Sequence, residues 1–169
     1  EAGVGIGDLA TEEPDLEDPF THGPEIEIGL SALIPDDYMP DVHMRLVHYK
    51  RIAGTRSREE LEDLMAETID RFGPLPDAAK VLFEVSVLRL RANPLGVRKI
   101  EAGPKGARIE FVDKPNVDSA RIIRLLQSAP RLYRLDGPNK LRIIADMPDA
   151  ESRVAALQTL LGALTATMQ

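Results

Sequence analysis

The sequence lacks cysteine and tryptophan, and aromatic residues make up only 4% of its 169 residues. Without cysteine the chain cannot form disulfides, thiolate metal sites or a cysteine nucleophile, and it suits a reducing compartment. With so few aromatic residues, a core has to be built mainly from aliphatic side chains. No apolar run approaches the ~20 residues that a membrane span needs. We therefore expect a cytoplasmic protein that makes no membrane contact.

The common signatures of catalysis are also missing. The sequence has neither the GxxxxGK[ST] loop that holds nucleotide phosphates nor the HExxH zinc motif. Of its three histidines, His43 and His48 lie five positions apart. This spacing places them about 140° apart around a helix, too far to share a metal ion. The sequence therefore predicts that this chain is not an enzyme and has no catalytic residue, no metal and no cofactor.

Acidic residues outnumber basic ones, giving a net charge of −7 and a pI of about 5.0. This balance argues against general nucleic-acid binding, because phosphate contacts need a concentrated basic surface. Residues 1–24 mix carboxylates with glycine and proline, which predicts an acidic flexible linker. Residues 25–169 are expected to form a single domain, helical at 34–93 and built of hairpins and helices at 97–169. Because the chain does not begin with methionine and shows no signal peptide, we expect a fragment of a longer protein.

After a short strand expected at 25–30, the sequence predicts two amphipathic helices joined by a tight loop. Asp41 is the expected N-cap of the first helix, because a short carboxylate can accept the free N–H groups of the first turn. Helical spacing predicts its buried stripe, Val42, Leu46, Tyr49 and Ala53. Ser57 and Glu60 form the pattern of a capping box at the start of the second helix. The predicted inner face of that helix consists of Leu61, Leu64, Met65, Thr68, Ile69 and Phe72.

A third helix is predicted to begin at the N-cap Asp77 and to end at Asn93-Pro94. Its expected inward residues are Val81, Leu82, Val85 and Leu88. From residue 97 the apolar period changes to two, which predicts a β-hairpin around the four-residue loop 103–106.

The rest of the sequence repeats this hairpin and adds helices. A helix capped by Asn116 is expected to bury Ala120, Ile122, Ile123 and Leu126. A second hairpin follows at 132–145, and a last helix capped by Asp149 has the apolar side Val154, Leu157, Leu161, Leu164 and Met168. The predicted fold class is α+β. A helical hairpin and a third helix precede two β-hairpin–helix units, which form a small antiparallel sheet with helices on one face.

The outer face of the second helix carries four carboxylates at spacings of three, four and three. We call Glu60, Asp63, Glu67 and Asp70 the acidic stripe. Residues at these spacings share one exposed side of a helix. One interpretation is a solvated face that Arg58 and Arg71 partly neutralise. The other is a docking surface for a basic partner, with Arg71 as the donor that fixes the register.

A local positive excess offers a second functional class, a nucleic-acid-binding accessory domain. This interpretation places six basic residues on one face: Lys80, Arg89, Arg91, Arg98, Lys99 and Lys105. It predicts salt-sensitive affinity for DNA. The alternative is that these are ordinary surface charges near the C-terminal end of a helix.

Several runs of the sequence resemble the C-terminal domain of the bacterial transcription-repair coupling factor family. They are LIPDDYMPDVHMRLVHYKRIA, IDRFGPLPD, LGVRKIE, KGARIEF and YRLDGPNKLRI, and the resemblance extends over about 25–164. It implies a parent that is a large ATP-dependent translocase on double-stranded DNA. Such a parent displaces stalled RNA polymerase and recruits the repair protein UvrA. ATP and magnesium would then belong to motor domains outside this chain.

The same resemblance implies a regulatory role without catalysis. The family's C-terminal domain docks on a UvrB-like module of the same polypeptide, masks UvrA binding there and restrains the motor. The acidic stripe then has a candidate partner, and our hypothesis is that Glu67, Asp70 and Arg71 make the central contacts, with Glu60 and Asp63 as peripheral charges. A competing hypothesis pairs Glu67 or Asp70 inside the helix pair with residues of the first helix region, namely Tyr38, Arg45, Tyr49, Lys50 and Arg51.

Overall fold

In the computed structural model, residues 23–165 are described, and they form one five-stranded sheet and five α-helices. In chain order these are β1 (Glu25–Glu27), α1 (Val42–Ala53), α2 (Arg58–Phe72), α3 (Asp77–Ala92), β2 (Val97–Gly103), β3 (Gly106–Phe111), α4 (Ser119–Ser128), β4 (Tyr133–Leu135), β5 (Lys140–Ile144) and α5 (Ala150–Leu164). The predicted α+β class is confirmed, as are the two hairpin–helix units. The linker predicted at 1–24 falls almost wholly outside the described residues.

The sheet is mixed, although an antiparallel sheet was predicted. Its strand order is β1-β2-β3-β5-β4, and β1 pairs in parallel with β2, with Glu25 opposite Lys99. All other neighbouring strands are antiparallel. The chain leaves the edge strand β1, passes through α1, α2 and α3, and returns as β2 beside it, and a crossover of this length permits parallel pairing. β1 is also shorter than predicted, because Gly29 turns the chain at a φ of +72°.

The first hairpin is tighter than the predicted four-residue loop. Gly103 pairs with Gly106, so that Pro104 and Lys105 alone form the loop. Gly106 has a φ of +153°, and a Cβ there would lie 2.1 Å from the backbone oxygen of Ile143. A glycine is therefore required where β3 passes β5.

The long helix α3 lies between two hydrophobic clusters. On one side Leu88 and Ala92 pack with the inner face of the sheet and with α5, where Leu157 and Leu161 are fully buried. On the other side Phe83 packs with a cluster formed by α1, α2 and the loop before them. A helix that is apolar on opposite sides is buried between two layers. Of the predicted inward residues, Val81, Val85 and Leu88 belong to the first side and Leu82 to the second, whereas Phe83 was missed.

The buried side of α1 differs from the predicted stripe. Val42 and Leu46 are 60% and 53% exposed, whereas His48 and Ile52 are buried. A second set of residues, His48 and Ile52, recurs at the same period as Val42 and Leu46. The packing of α1 against α2 and α3 buries this second set. The predicted cap is confirmed, since Asp41 accepts hydrogen bonds from the first turn of α1.

Three further predictions about the helices were wrong, one about a buried residue and two about N-caps. Ile69 of α2 is 40% exposed although it was expected inside. Asp77 is the first residue of α3, and Pro76 holds the cap position without a side-chain hydrogen bond. Asp118, in place of Asn116, caps α4 by accepting a hydrogen bond from Ala120, which delays the helix by two residues.

This delay also changes which residues of α4 are inside. Leu125 is buried, whereas Ala120 is exposed and Ile123 is 53% exposed. The last helix follows its prediction. Asp149 and Ser152 form a reciprocal capping box, and Val154, Leu157, Leu161 and Leu164 are buried. Met168 lies outside the described residues. No helix between residues 23 and 165 is both long and apolar enough to span a bilayer.

Candidate docking surface on the second helix

All four carboxylates of the acidic stripe, together with Arg71, are exposed on α2. The helix begins at Ser57, whose hydroxyl accepts the Glu60 N–H at 3.1 Å. It ends at Gly73, where a φ of +96° takes the chain away from the helix. The spacing in the sequence therefore predicted correctly that these charges share the outer side of one helix.

Glu60 has a local structural role. Its side-chain oxygen accepts the backbone N–H of Arg56 at 2.6 Å. The predicted capping box is thus half formed, because the carboxylate reaches Arg56 and not the N–H of Ser57. Through this hydrogen bond, Glu60 stabilises the turn that leads into α2.

Glu67 is paired within the domain. The guanidinium of Arg51 on α1 donates two hydrogen bonds to its carboxylate, at 2.8 and 2.9 Å. These bonds hold the pKa of Glu67 below its usual value and raise that of Arg51. Both side chains stay more than 40% exposed. The pair supports the competing hypothesis for Glu67, although a carboxylate has about four acceptor positions and Arg51 takes two.

Asp63, Asp70 and Arg71 offer charges that remain directed to solvent. Among residues 23–165, the three form no ion pair and their side chains form no hydrogen bond. The Arg71 guanidinium carbon lies 5.0 Å from the centre of the Phe72 ring, close enough for a cation–π contact. Asp70 and Arg71 therefore place opposite charges side by side near the end of α2, and Phe72 steadies the arginine.

A rigid layer of polar and aromatic side chains lies beneath this end of α2. His48 is 2% exposed and meets the Phe72 ring edge-on, with centroids 5.8 Å apart. Burial is the main reason that the pKa of His48 is lowered. Its Nε2 has no hydrogen-bond partner among the residues that the structure describes. The hydroxyl of Tyr38 donates to the carbonyl of Gly73 and fixes the turn after α2.

Of the other residues in the competing hypothesis, Arg45 and Tyr49 are engaged with the backbone, as Tyr38 is. Arg45 donates to the carbonyl of Met39 at 2.7 Å, and the Tyr49 hydroxyl accepts the N–H of Ile34 at 2.7 Å. Arg51 is therefore the member of that set which meets the acidic stripe.

The single basic face predicted for nucleic-acid binding is not formed. Arg89 donates to the carbonyl of Ile52 at the end of α1, whereas Arg91, about 200° around α3, donates to Gln158 of α5. Three of the remaining four pair with carboxylates: Arg98 with Glu110, Lys99 with Glu101, and Lys105 with Asp146. The fourth, Lys80, is exposed on α3. These contacts disperse the six residues and neutralise three of them.

The sequence analysis did not identify two features formed by arginines, one buried residue and one set of three on the sheet. Arg153 is buried, and Arg108, Arg134 and Arg142 lie exposed on the side of the sheet opposite the core. The period of two in the hairpins could have placed the last three on one side. No sequence motif identifies Arg153, because one of its two partners, the Ile28 carbonyl, lies 125 residues away. Residues 23–165 contain no cluster of three histidine or carboxylate side chains that could hold a metal ion.

Comparisons with known proteins give a consistent result. The family described as TRCF domain matches residues 28–122. The transcription-repair-coupling factor of Escherichia coli (strain K12) is 46% identical over 145 residues, which cover 86% of this chain and 13% of that protein. Its counterpart in Haemophilus influenzae is 45% identical over 154 residues, covering 91% and 13%. The chain thus spans about an eighth of the length of these relatives.

A solved structure shows the same fold. The crystal structure of the C-terminal domain of a transcription-repair coupling factor superposes with a TM-score of 0.74 at 21% identity, covering 84% of this chain and 91% of that one. Together with the family match and the two relatives, this agreement establishes the relationship. The chain belongs to the transcription-repair-coupling factor family and contains its TRCF domain.

Proposed function

We propose that this domain is a regulatory module that docks, through the end of α2, on a UvrB-like module of the same polypeptide. Docking masks the UvrA-binding surface of that module and restrains the ATP-driven motor. RNA polymerase, double-stranded DNA, ATP and magnesium are bound by other parts of the parent protein. The observation that carries this proposal is the couple of Asp70 and Arg71, which is exposed on a firmly held helix end and forms no ion pair with residues 23–165.

The proposed contact is polar and directional. Asp70 lies near the C-terminal end of α2, where the helix dipole adds negative potential that attracts a basic partner. Arg71 carries the opposite sign one residue away, so the partner must present an acceptor beside its basic group. Glu67 can join through the acceptor positions that Arg51 leaves open. Asp63 lies farther along the stripe and attracts the partner from a distance.

The rigidity of the surface supports this role. Three contacts hold α2, two from α1 and one from the loop before it: Arg51 with Glu67, His48 with the ring of Phe72, and Tyr38 with the Gly73 carbonyl. A surface that is already ordered loses little conformational entropy on docking. A small polar interface also separates more readily than a large apolar one, as a reversible regulatory contact requires.

Calorimetric titration of this chain with the separately expressed UvrB-like module of its parent tests the proposal. The Asp70→Ala/Arg71→Ala variant should bind roughly 30-fold or more weakly, the effect of truncating a charge pair that docking removes from water. The matched control is Arg58→Ala/Glu59→Ala, which also removes one basic and one acidic side chain from exposed positions on α2. This control should bind like the wild type. Equal affinity of all three proteins would refute the assignment of the surface.

A further inference from the structure

The sheet has an open face opposite the core, and three arginines form a row across it. In the strand register Arg108 of β3 lies opposite Arg142 of β5, and Arg142 lies opposite Arg134 of β4. We call these three the arginine row. Directly opposed residues have Cβ atoms about 4.5–5.5 Å apart, and like charges at this distance destabilise a sheet.

The row is partly neutralised at Arg108, and its other two arginines have no carboxylate partner among residues 23–165. Arg108 lies 3.9 Å from carboxylate oxygens of both Glu101 and Asp136, at the limit of an ion pair. Within the part of the chain that the structure describes, neither Arg134 nor Arg142 forms an ion pair. All three arginines are exposed. The row is therefore a concentrated positive site for an anionic partner.

The sequence holds a matching anionic segment. Residues 1–24 contain seven acidic side chains and no lysine or arginine: Glu1, Asp8, Glu12, Glu13, Asp15, Glu17 and Asp18. The net charge of −7 therefore belongs entirely to this segment, and residues 25–169 are neutral. The neutral domain has no overall field to attract a polyanion from solution, whereas the segment is already attached to it.

We propose that residues 12–18, EEPDLED, dock on the arginine row of their own domain. Strands lie about 4.8 Å apart, so the row lies about 10–19 Å from β1 across the sheet. The seven residues from Asp18 to Glu25 span up to about 23 Å when extended, which brings the segment within reach. A short tether also supplies an effective concentration on the order of millimolar. Docking covers the open face with the chain's own carboxylates.

The lack of cysteine permits a direct test in the intact chain. A nitroxide attached to Thr11→Cys would broaden the amide resonances of nearby residues. At low salt we expect broadening at Arg108 and Arg142. The effect should disappear at 1 M salt, where the Debye length is ~3 Å. This reversal needs no variant in the sheet and so does not depend on whether a variant folds.

A variant pair then identifies the partner of the segment. Arg108→Gln/Arg134→Gln/Arg142→Gln should lower the ratio of docked to free segment roughly tenfold, since each exposed ion pair contributes a factor of about 1.4 to 5. The control triple, Arg56→Gln/Arg124→Gln/Arg131→Gln, changes three exposed arginines elsewhere and should leave the broadening intact.

Two outcomes would overturn the proposal. The first is absence of broadening on β3 and β5 in the wild type at low salt. The second is broadening that persists in the row variant. If that variant also loses binding to a short DNA duplex that the wild type retains, the open face belongs to a phosphate backbone and not to the segment.

Discussion

Truncation of the buried Arg153 should destabilise the domain more than the loss of any exposed charge. The side chain is 5% exposed and forms no ion pair with any residue from 23 to 165. Its guanidinium donates to the carbonyl of Ile28, just after β1, at 2.8 Å and to the carbonyl of Met147 at 2.9 Å. It therefore ties the edge of the sheet to the loop before α5, and Arg153 itself is 125 residues from Ile28.

The magnitude follows from these two bonds. A hydrogen bond from a charged donor contributes about 1.5–3 kcal/mol, so Arg153→Ala removes about 3–6 kcal/mol and leaves two carbonyls without a donor. Part of this loss is recovered because the buried charge and its desolvation penalty disappear as well. We expect a net destabilisation of about 3 kcal/mol.

Urea unfolding at neutral pH measures this change as a lower midpoint with an unchanged slope. Arg124→Ala removes an exposed arginine from α4 and should stay within about 0.5 kcal/mol of the wild type. Amide exchange in β1 should accelerate in the Arg153→Ala variant, because that variant releases Ile28. If Arg153→Ala were as stable as Arg124→Ala, the structural role given to the two bonds would be wrong.

Three further predictions concern single residues. Burial lowers the pKa of His48. Near pH 6.5 the His48 imidazole is therefore protonated in the unfolded chain but stays neutral in the folded chain. Stability by urea unfolding should fall as pH decreases through that value, and His48→Leu should abolish this dependence. Tyr38→Phe should cost about 0.5–1.5 kcal/mol in the same assay. Gly106→Ala, whose Cβ would meet the Ile143 oxygen, should lower the melting temperature much more than Gly137→Ala, which has nothing within 4 Å and adds only about 1–2 kcal/mol of backbone strain.

Local chemistry made several elements readable from the sequence. Asp41, Ser57 and Asp149 accept hydrogen bonds from the first turn of the helix that follows each of them. Such caps involve neighbours within three residues, so the sequence alone contains both partners. The period of two likewise placed both hairpins, and the spacing on α2 placed the acidic stripe.

Features that depend on contacts between residues far apart in the sequence could not be predicted from the sequence. The parallel pairing of β1 requires knowledge of where three helices return the chain. On α1, Val42 and Leu46 have the same period as the residues that are actually buried, so periodicity could not choose between the two stripes. The pair of Arg51 and Glu67 depends on how α1 lies against α2. Tertiary contact decided all of these.

Binding of UvrA to the full-length parent protein tests the regulatory account most directly. If the proposed docking masks the UvrA site, the wild-type parent should bind UvrA weakly. The Asp70→Ala/Arg71→Ala parent should bind at least roughly tenfold more tightly, as release of a contact of this kind requires. The Arg58→Ala/Glu59→Ala parent should match the wild type. Equal UvrA affinity in all three parents would contradict docking through the end of α2.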